Sequence, residues 1–196
     1  MSDADGRRAG QLVVPAAFAE LIDLCQRPLY TFLRRLLDDD EAARDTMQDT
    51  FCSAWQLAQR GAPPFDAAPV AEGALRRWLF HAAYNRAVSH LRRRRLITWR
   101  SLDVDAAWDG EELVAPDSFE EQIVQTQAVR AALASLTPQE VACLLLLAVH
   151  RFTAAEAGQI VGASPAAVAK RYARAKQRLR AVYLSQNPPI VGRLPS

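Results

Sequence analysis

Guanidinium groups dominate the chemistry this chain can do. Between Arg86 and Arg100 stand Arg86, Arg92, Arg93, Arg94, Arg95 and Arg100, with no acid among them. A second basic block, Lys170, Arg171, Arg174, Lys176, Arg178 and Arg180, is equally free of acids. A planar guanidinium grips a phosphate or a guanine edge through two parallel hydrogen bonds, so both blocks suit a polyanion. The first block follows Trp78, Phe80, Tyr84 and Asn85. Rings and a side-chain amide beside arginines can stack on bases drawn out of a duplex and hydrogen-bond them. The plainer reading puts the three rings in a helical core and leaves the arginines on a solvated helix end. A third cluster has the opposite sign. Asp45, Gln48 and Asp49 fall at i, i+3 and i+4 and share one helix face. Set apart from the basic blocks, that face suits protein docking. Asp45 and Asp49 as a metal-assisted catalytic pair would need a histidine, a nucleophile or a glycine-rich phosphate loop beside them, and the sequence puts none there.

Helices must carry these residues. Phe18, Leu21, Ile22, Cys25, Leu29, Phe32, Leu33, Leu36 and Leu37 recur at three- and four-residue intervals, an amphipathic stripe that continues past Pro28. Ala42 to Ala58 keeps the period, and Pro63 and Pro64 then break it. A third helix is expected from Leu75 to Leu96. Residues 98–117 are acidic, hold Gly110 and Pro116, and lack an apolar period, which marks a linker. Beyond it Ser118, Thr137 and Thr153 each precede a glutamate by three residues, the capping-box spacing, and Ser164-Pro165 signals a fourth helix start. Thr153–Val161, the turn Gly162-Ala-Ser164 and a longer basic helix outline a helix-turn-helix. Within it Gly158 is expected to permit close packing, and Lys170, Arg171, Arg174 and Arg178 to face a major groove. The tail, 185–196, has no helical pattern and is expected to be mobile. The fold class is all-α. It comprises a domain over 16–97, an acidic linker over 98–117 and a second domain over 118–184.

Composition excludes other classes. The chain has 196 residues, a formal net charge of +2, 50% hydrophobic and 23% charged residues, as ordinary soluble domains do. The longest apolar run, Val141–Val149, falls far short of the roughly 20 residues a membrane span needs. No apolar core follows the early arginines, so no secretory signal is expected. Cys25, Cys52 and Cys143 are far apart and lie in apolar helical patterns. They are expected to be reduced, buried packing residues, with no disulfide, metal or cofactor.

Taken in order, Asp45-Thr-Met-Gln48-Asp-Thr-Phe51-Cys-Ser-Ala-Trp55, Trp78-Leu-Phe80 with Asn85, and Leu91-Arg-Arg-Arg-Arg95 resemble region 2 of bacterial sigma factors. Leu133-Ala-Ser-Leu-Thr-Pro-Gln-Glu140, Phe152-Thr-Ala-Ala-Glu156, Gly162-Ala-Ser164, Val168-Ala-Lys-Arg171 and Arg174-Ala175 resemble region 4. A linker in place of a folded region 3 is similar to the extracytoplasmic-function subgroup.

The resemblance implies a cytoplasmic protein that binds core RNA polymerase, directs it to promoter DNA, helps open the duplex and is later released. Asp45, Gln48 and Asp49, with Phe51 and Trp55 behind them, match the helix that docks on the β′ clamp helices. Region 4 implies a contact with the β flap. Trp78, Asn85, Arg86, Ser89, Arg92 and Arg93 match minus-10 positions, with the loop 61–73 closing over a captured base. Ala166, Ala167, Lys170, Arg171, Arg174 and Lys176 match the helix that reads minus-35 duplex. The acidic linker would thread the RNA exit path in imitation of nascent RNA. The resemblance further implies no catalysis and no small-molecule substrate. It also implies an anti-sigma factor as inhibitor, in many members at the inner membrane face. Ser89 stands where the family often has aspartate. Ala157-Gly158 replaces an Ile-Ala pair, which predicts a slightly looser helix-turn-helix. Two other readings compete. A stand-alone helix-turn-helix regulator leaves the Arg92–Arg95 run and the acidic linker without a role. A helical nucleic-acid-modifying enzyme lacks partners for Asp45 and Asp49.

Overall fold

Local rules account for the start of most elements. In the computed structural model the described residues are 18, 22–62, 64, 72–100 and 130–186. The Ser118 cap, most of the acidic linker, the middle of the 61–73 loop and the tail beyond 186 lie outside them. Helix α1 covers 22–37 and runs through Pro28, as its stripe requires. It stops at Asp38, which takes φ +52 and donates its amide to the Arg34 carbonyl at 3.1 Å. Asp39 then caps α2 (Asp40–Gln59), its carboxylate accepting from the Ala42 amide at 3.0 Å. The sequence period places this start at Ala42; the aspartate run supplies the cap and moves it earlier. Helix α3 spans Glu72–Arg100, so three residues assigned to the linker, Thr98 to Arg100, continue the helix instead.

In the second half residues 130–134 are helical, α4. Thr137 and Glu140 complete a capping box for α5 (Pro138–Leu144), with Pro138 at the first position. The apolar run then widens into a π-turn, Leu145–Val149, whose His150 amide reaches back to the Leu145 carbonyl at 2.9 Å. Thr153 and Glu156 box the start of α6 (Ala154–Val161), and Ser164 Oγ accepts from the Ala167 amide at 3.2 Å to cap α7 (Pro165–Gln186). Helix α7 continues through Ser185 and Gln186, which the sequence pattern gave to the tail.

Between α6 and α7 the turn is tight, contrary to the looseness expected from Ala157-Gly158. Gly162 takes φ +65, and a Cβ on Gly158 would stand 2.5 Å from the Ala163 carbonyl oxygen. Glycine at both positions is what lets the helices close.

Every element among the described residues is helical, and the two halves share one continuous core. Leu29, Phe32, Leu33, Phe80 and Ala83 from the first half join Leu145, Leu146, Phe152, Ile160 and Val168 from the second. Phe80 lies 5.3 Å from Phe32 and 5.1 Å from Phe152, in tilted and edge-on pairs. A smaller cluster of Phe18, Cys25, Ala54, Leu75 and Leu79 lies beneath Trp55 and Trp78. Of the cysteines, Cys25 and Cys143 are buried as expected. Cys52 is exposed, because Ala54 and Phe51 take the inward positions on that part of α2.

Candidate nucleic-acid interface

Helix α2 presents Asp45, Gln48 and Asp49 to solvent on one face, and neither aspartate enters an ion pair among the described residues. Phe51 and Trp55 are half-buried behind them; the Trp55 ring packs 5.0 Å from Phe18. The neighbouring acids behave differently. Asp38 pairs with Arg130 at 3.0 Å, Asp39 with Arg94 at 3.6 Å and Asp40 with Arg44 at 2.9 Å, while Tyr30 donates its hydroxyl to Asp40. That hydrogen bond holds the Tyr30 hydroxyl above its ordinary value. Asp38, Asp39 and Asp40 thus form an internally paired corner, whereas Asp45 and Asp49 stand on an open face.

On α3 the candidate minus-10 residues divide. Asn85, Ser89, Arg92 and Arg93 are exposed along the helix. Ser89 donates to the Asn85 carbonyl at 2.8 Å. Asn85 Nδ2 lies 2.9 Å from His81 Nε2, and His81 Nδ1 lies 2.9 Å from the Ile160 carbonyl of α6. With the amide donating to Nε2, the imidazole proton sits on Nδ1 and points to Ile160. Trp78 is half-buried against the smaller cluster, so much of its ring serves packing. Arg86 is half-buried too, and its Nη2 donates to Ser53 Oγ on α2 at 2.6 Å. It staples two helices, a role that i, i+4 spacing on one helix could not reveal.

The second basic surface lies on α7. Lys170, Arg174 and Lys176 are exposed, with the Lys176 ammonium 5.6 Å from the Tyr172 ring. Ala166 is exposed and Ala167 half-buried at the N-terminal turn, where a recognition helix meets bases. Arg171 is half-buried, near enough to the Cys143 thiol and the Tyr84 hydroxyl for its charge to act on both. Burial pushes the Cys143 thiol up, and the Arg171 cation opposes that rise. Arg178 does not stand free for a groove. It pairs with Glu140 at 3.0 Å, across 38 residues, and no sequence signal could have found that contact. Glu140 is held below its ordinary carboxyl value, chiefly by the Thr137 amide and also by Arg178.

Two separated segments match family models. Residues 21–97 match "Sigma-70 region 2" and residues 126–179 match "Sigma-70, region 4", in that order along the chain. The chain belongs to the sigma-70 family. Its two matched regions, α1–α3 and α4–α7, are those of an extracytoplasmic-function sigma factor. Solved structures share the fold. The sigma factor RpoE in complex with the anti-sigma factor NepR from Bartonella quintana matches at TM-score 0.59 and 21% identity. That match covers 91% of this chain and 96% of RpoE. CnrH in complex with the cytosolic domain of CnrY matches at TM-score 0.60 and 22% identity, over 87% of this chain and 90% of CnrH. No curated protein matches the chain.

In region terms, the exposed acidic face lies on the second helix of region 2, Asn85 to Arg93 on its third, and Lys170 to Lys176 on the last helix of region 4. Among the described residues no helix is long and apolar enough to cross a membrane, and no group of three acids, histidines or cysteines could hold a metal.

Proposed function

We propose that this sigma factor docks on core RNA polymerase through Asp45, Gln48 and Asp49 and carries no catalytic chemistry of its own. The β′ clamp helices are the expected seat for that face, and the β flap for region 4. Asn85, Ser89, Arg92 and Arg93 engage the minus-10 element, while Lys170, Arg171, Arg174 and Lys176, with Ala166 and Ala167, engage the minus-35 duplex. The observation that carries the reading is the pairing of a region 2 and a region 4 match in one chain with exposed charge on the corresponding helices. Arginine-rich helix faces free of acids favour phosphate and guanine contacts. An anti-sigma partner and a cytoplasmic setting follow from the same reading, supported by the two structural neighbours, each of which is a complex with such a partner or its cytosolic domain.

Run-off transcription with sigma-free core enzyme on genomic fragments tests the whole. Start-site selectivity is expected with the purified protein, and its absence without any inhibitor present would refute the reading. Joint Asp45→Ala and Gln48→Ala substitution should abolish co-purification with core polymerase while leaving helix content unchanged. Arg174→Ala should weaken minus-35 binding by about 1–3 kcal/mol and relax preference at one position. A loss that is equal on all sequences would make Arg174 a phosphate contact.

A further inference from the structure

Region 4 is seated on region 2 through a small set of named contacts. The loop after the π-turn brings two rings to α3, with Arg151 between them in the left-handed region at φ +59. Phe152 lies edge-on to Phe80, and Arg76 stacks its guanidinium 4.2 Å from the Phe152 centroid while donating to the His150 carbonyl at 2.5 Å. Arg77 pairs with Glu156 at 3.2 Å, and His81 holds the Ile160 carbonyl.

His150 is the vulnerable member. Its ring lies 4.9 Å from Phe80 and 5.8 Å from Phe32, buried, with Nε2 lacking any hydrogen-bond partner. A neutral imidazole tolerates such a place at the cost of one unmade hydrogen bond, whereas an imidazolium without a counter-ion does not. The charges acting on it, Arg76 from α3 and Arg35 from α1, are both positive.

We infer that the seating of region 4 on α3 is a reversible latch, held while the His150 ring is neutral and released when that ring takes up a proton. The physiological consequence, though not the latch itself, rests on the proposed function. Minus-10 and minus-35 elements, about 25 base pairs apart, stand about 85 Å apart at ~3.4 Å per pair. In the closed chain α6 packs against both α3 and α7, and Arg171 of α7 acts on the Tyr84 hydroxyl of α3, so the two basic helices are held within one packed body. A protein reading both elements must first part them.

The direction of the pH response follows from the site. Burial, then the two arginines, lower the His150 value from 6.5 to about 4. A group depressed in the closed state favours closure fully above 6.5 and loses that contribution as pH falls towards 4. If release restores the ordinary value, the closed-to-open ratio falls about tenfold between pH 7.5 and 5.5. Glu156 is held below its ordinary value by the Thr153 amide and stays ionised over this range, so the Arg77 pair does not supply the change.

The test is a distance measurement on the full chain alone, with probes on the exposed Cys52 and on Gln177→Cys of α7. A short distance should dominate at pH 7.5, and a long one should gain about tenfold relative weight at pH 5.5 with helix content unchanged. His150→Phe, which fills the same aromatic site without a titrating group, should stay closed at both pH values. Arg76→Ala should open the chain at pH 7.5. A wild-type distance that ignores pH, an equal response in His150→Phe, or loss of helix at pH 5.5 would each overturn the latch. Neither polymerase nor promoter is in the sample, so failure here and failure in transcription are separate results.

Discussion

Two glycines show how single residues set the geometry on which the second basic helix depends. Replacing Gly158 by alanine would ordinarily help a helix by roughly 1 kcal/mol. Here the added methyl would meet the Ala163 carbonyl oxygen at 2.5 Å, and that oxygen belongs to backbone that cannot swing away. Overpacking of this kind costs about 1–3 kcal/mol, so the sign reverses. We expect Gly158→Ala to lower the melting temperature and weaken minus-35 binding, whereas Gly162→Ala should lose about 1–2 kcal/mol through its φ of +65 alone, with open space around it. Thermal melts of both variants check the prediction, and a stabilised Gly158→Ala would show that α6 and α7 do not approach so closely. Gly158 was legible as a packing glycine because it interrupts an otherwise good helical stretch. The roles of Arg86 and Arg178 were not, since each is decided by a partner distant in sequence, Ser53 or Glu140.

At the level of elements, the starts were easier to read than the ends. Thr137, Thr153 and Ser164 declare themselves by their own chemistry, a hydroxyl placed to accept a free amide. The end of α3 does not, because an arginine run followed by an acidic stretch gives no apolar period to stop. The π-turn was equally hidden, since nine apolar residues from Val141 to Val149 carry no phase to show a slip of one residue. The α5 cap offers a measurable case of an element held by one residue. Glu140 accepts from the Thr137 amide at 3.0 Å, from its hydroxyl at 3.0 Å and from Arg178. Its folded value lies below the ordinary 4.5, so its contribution is complete above that pH and is lost as pH falls through the folded value. Glu140→Gln keeps an acceptor but loses the charge, and should cost about 1 kcal/mol at pH 7, most of it from the Thr137 bonds because Arg178 is largely exposed. Urea unfolding at pH 7 and pH 3 should show that difference shrinking; a constant difference would mean the charge is irrelevant to the cap.

Across the whole molecule, the sequence marks two helical groups but gives no sign that they share a core. Phe32 and Phe80 each sit in a helical stripe that could close within its own group, His150 and Phe152 fall in a loop with no period to read, and periodicity cannot tell an inward face from one turned to a neighbour. That shared core has a consequence for cooperativity. If burial of Phe80 against Phe152 and His150 couples the halves, neither should unfold without exposing the other's rings, and the chain should melt as one unit. All four tryptophans precede residue 109, so indole fluorescence reports chiefly on the first half while far-UV dichroism reports on helices throughout. In the wild type at pH 7.5 the two signals should change together in denaturant. Phe152→Ala removes a ring from the shared core at a cost of about 3–5 kcal/mol, and it also removes the platform on which Arg76 rests. In that variant the dichroism change should begin at lower denaturant than the fluorescence change, because the second half loses its support while α1–α3 retain the cluster beneath Trp55 and Trp78. Separate transitions already present in the wild type would mean that the rings touch without coupling the two halves.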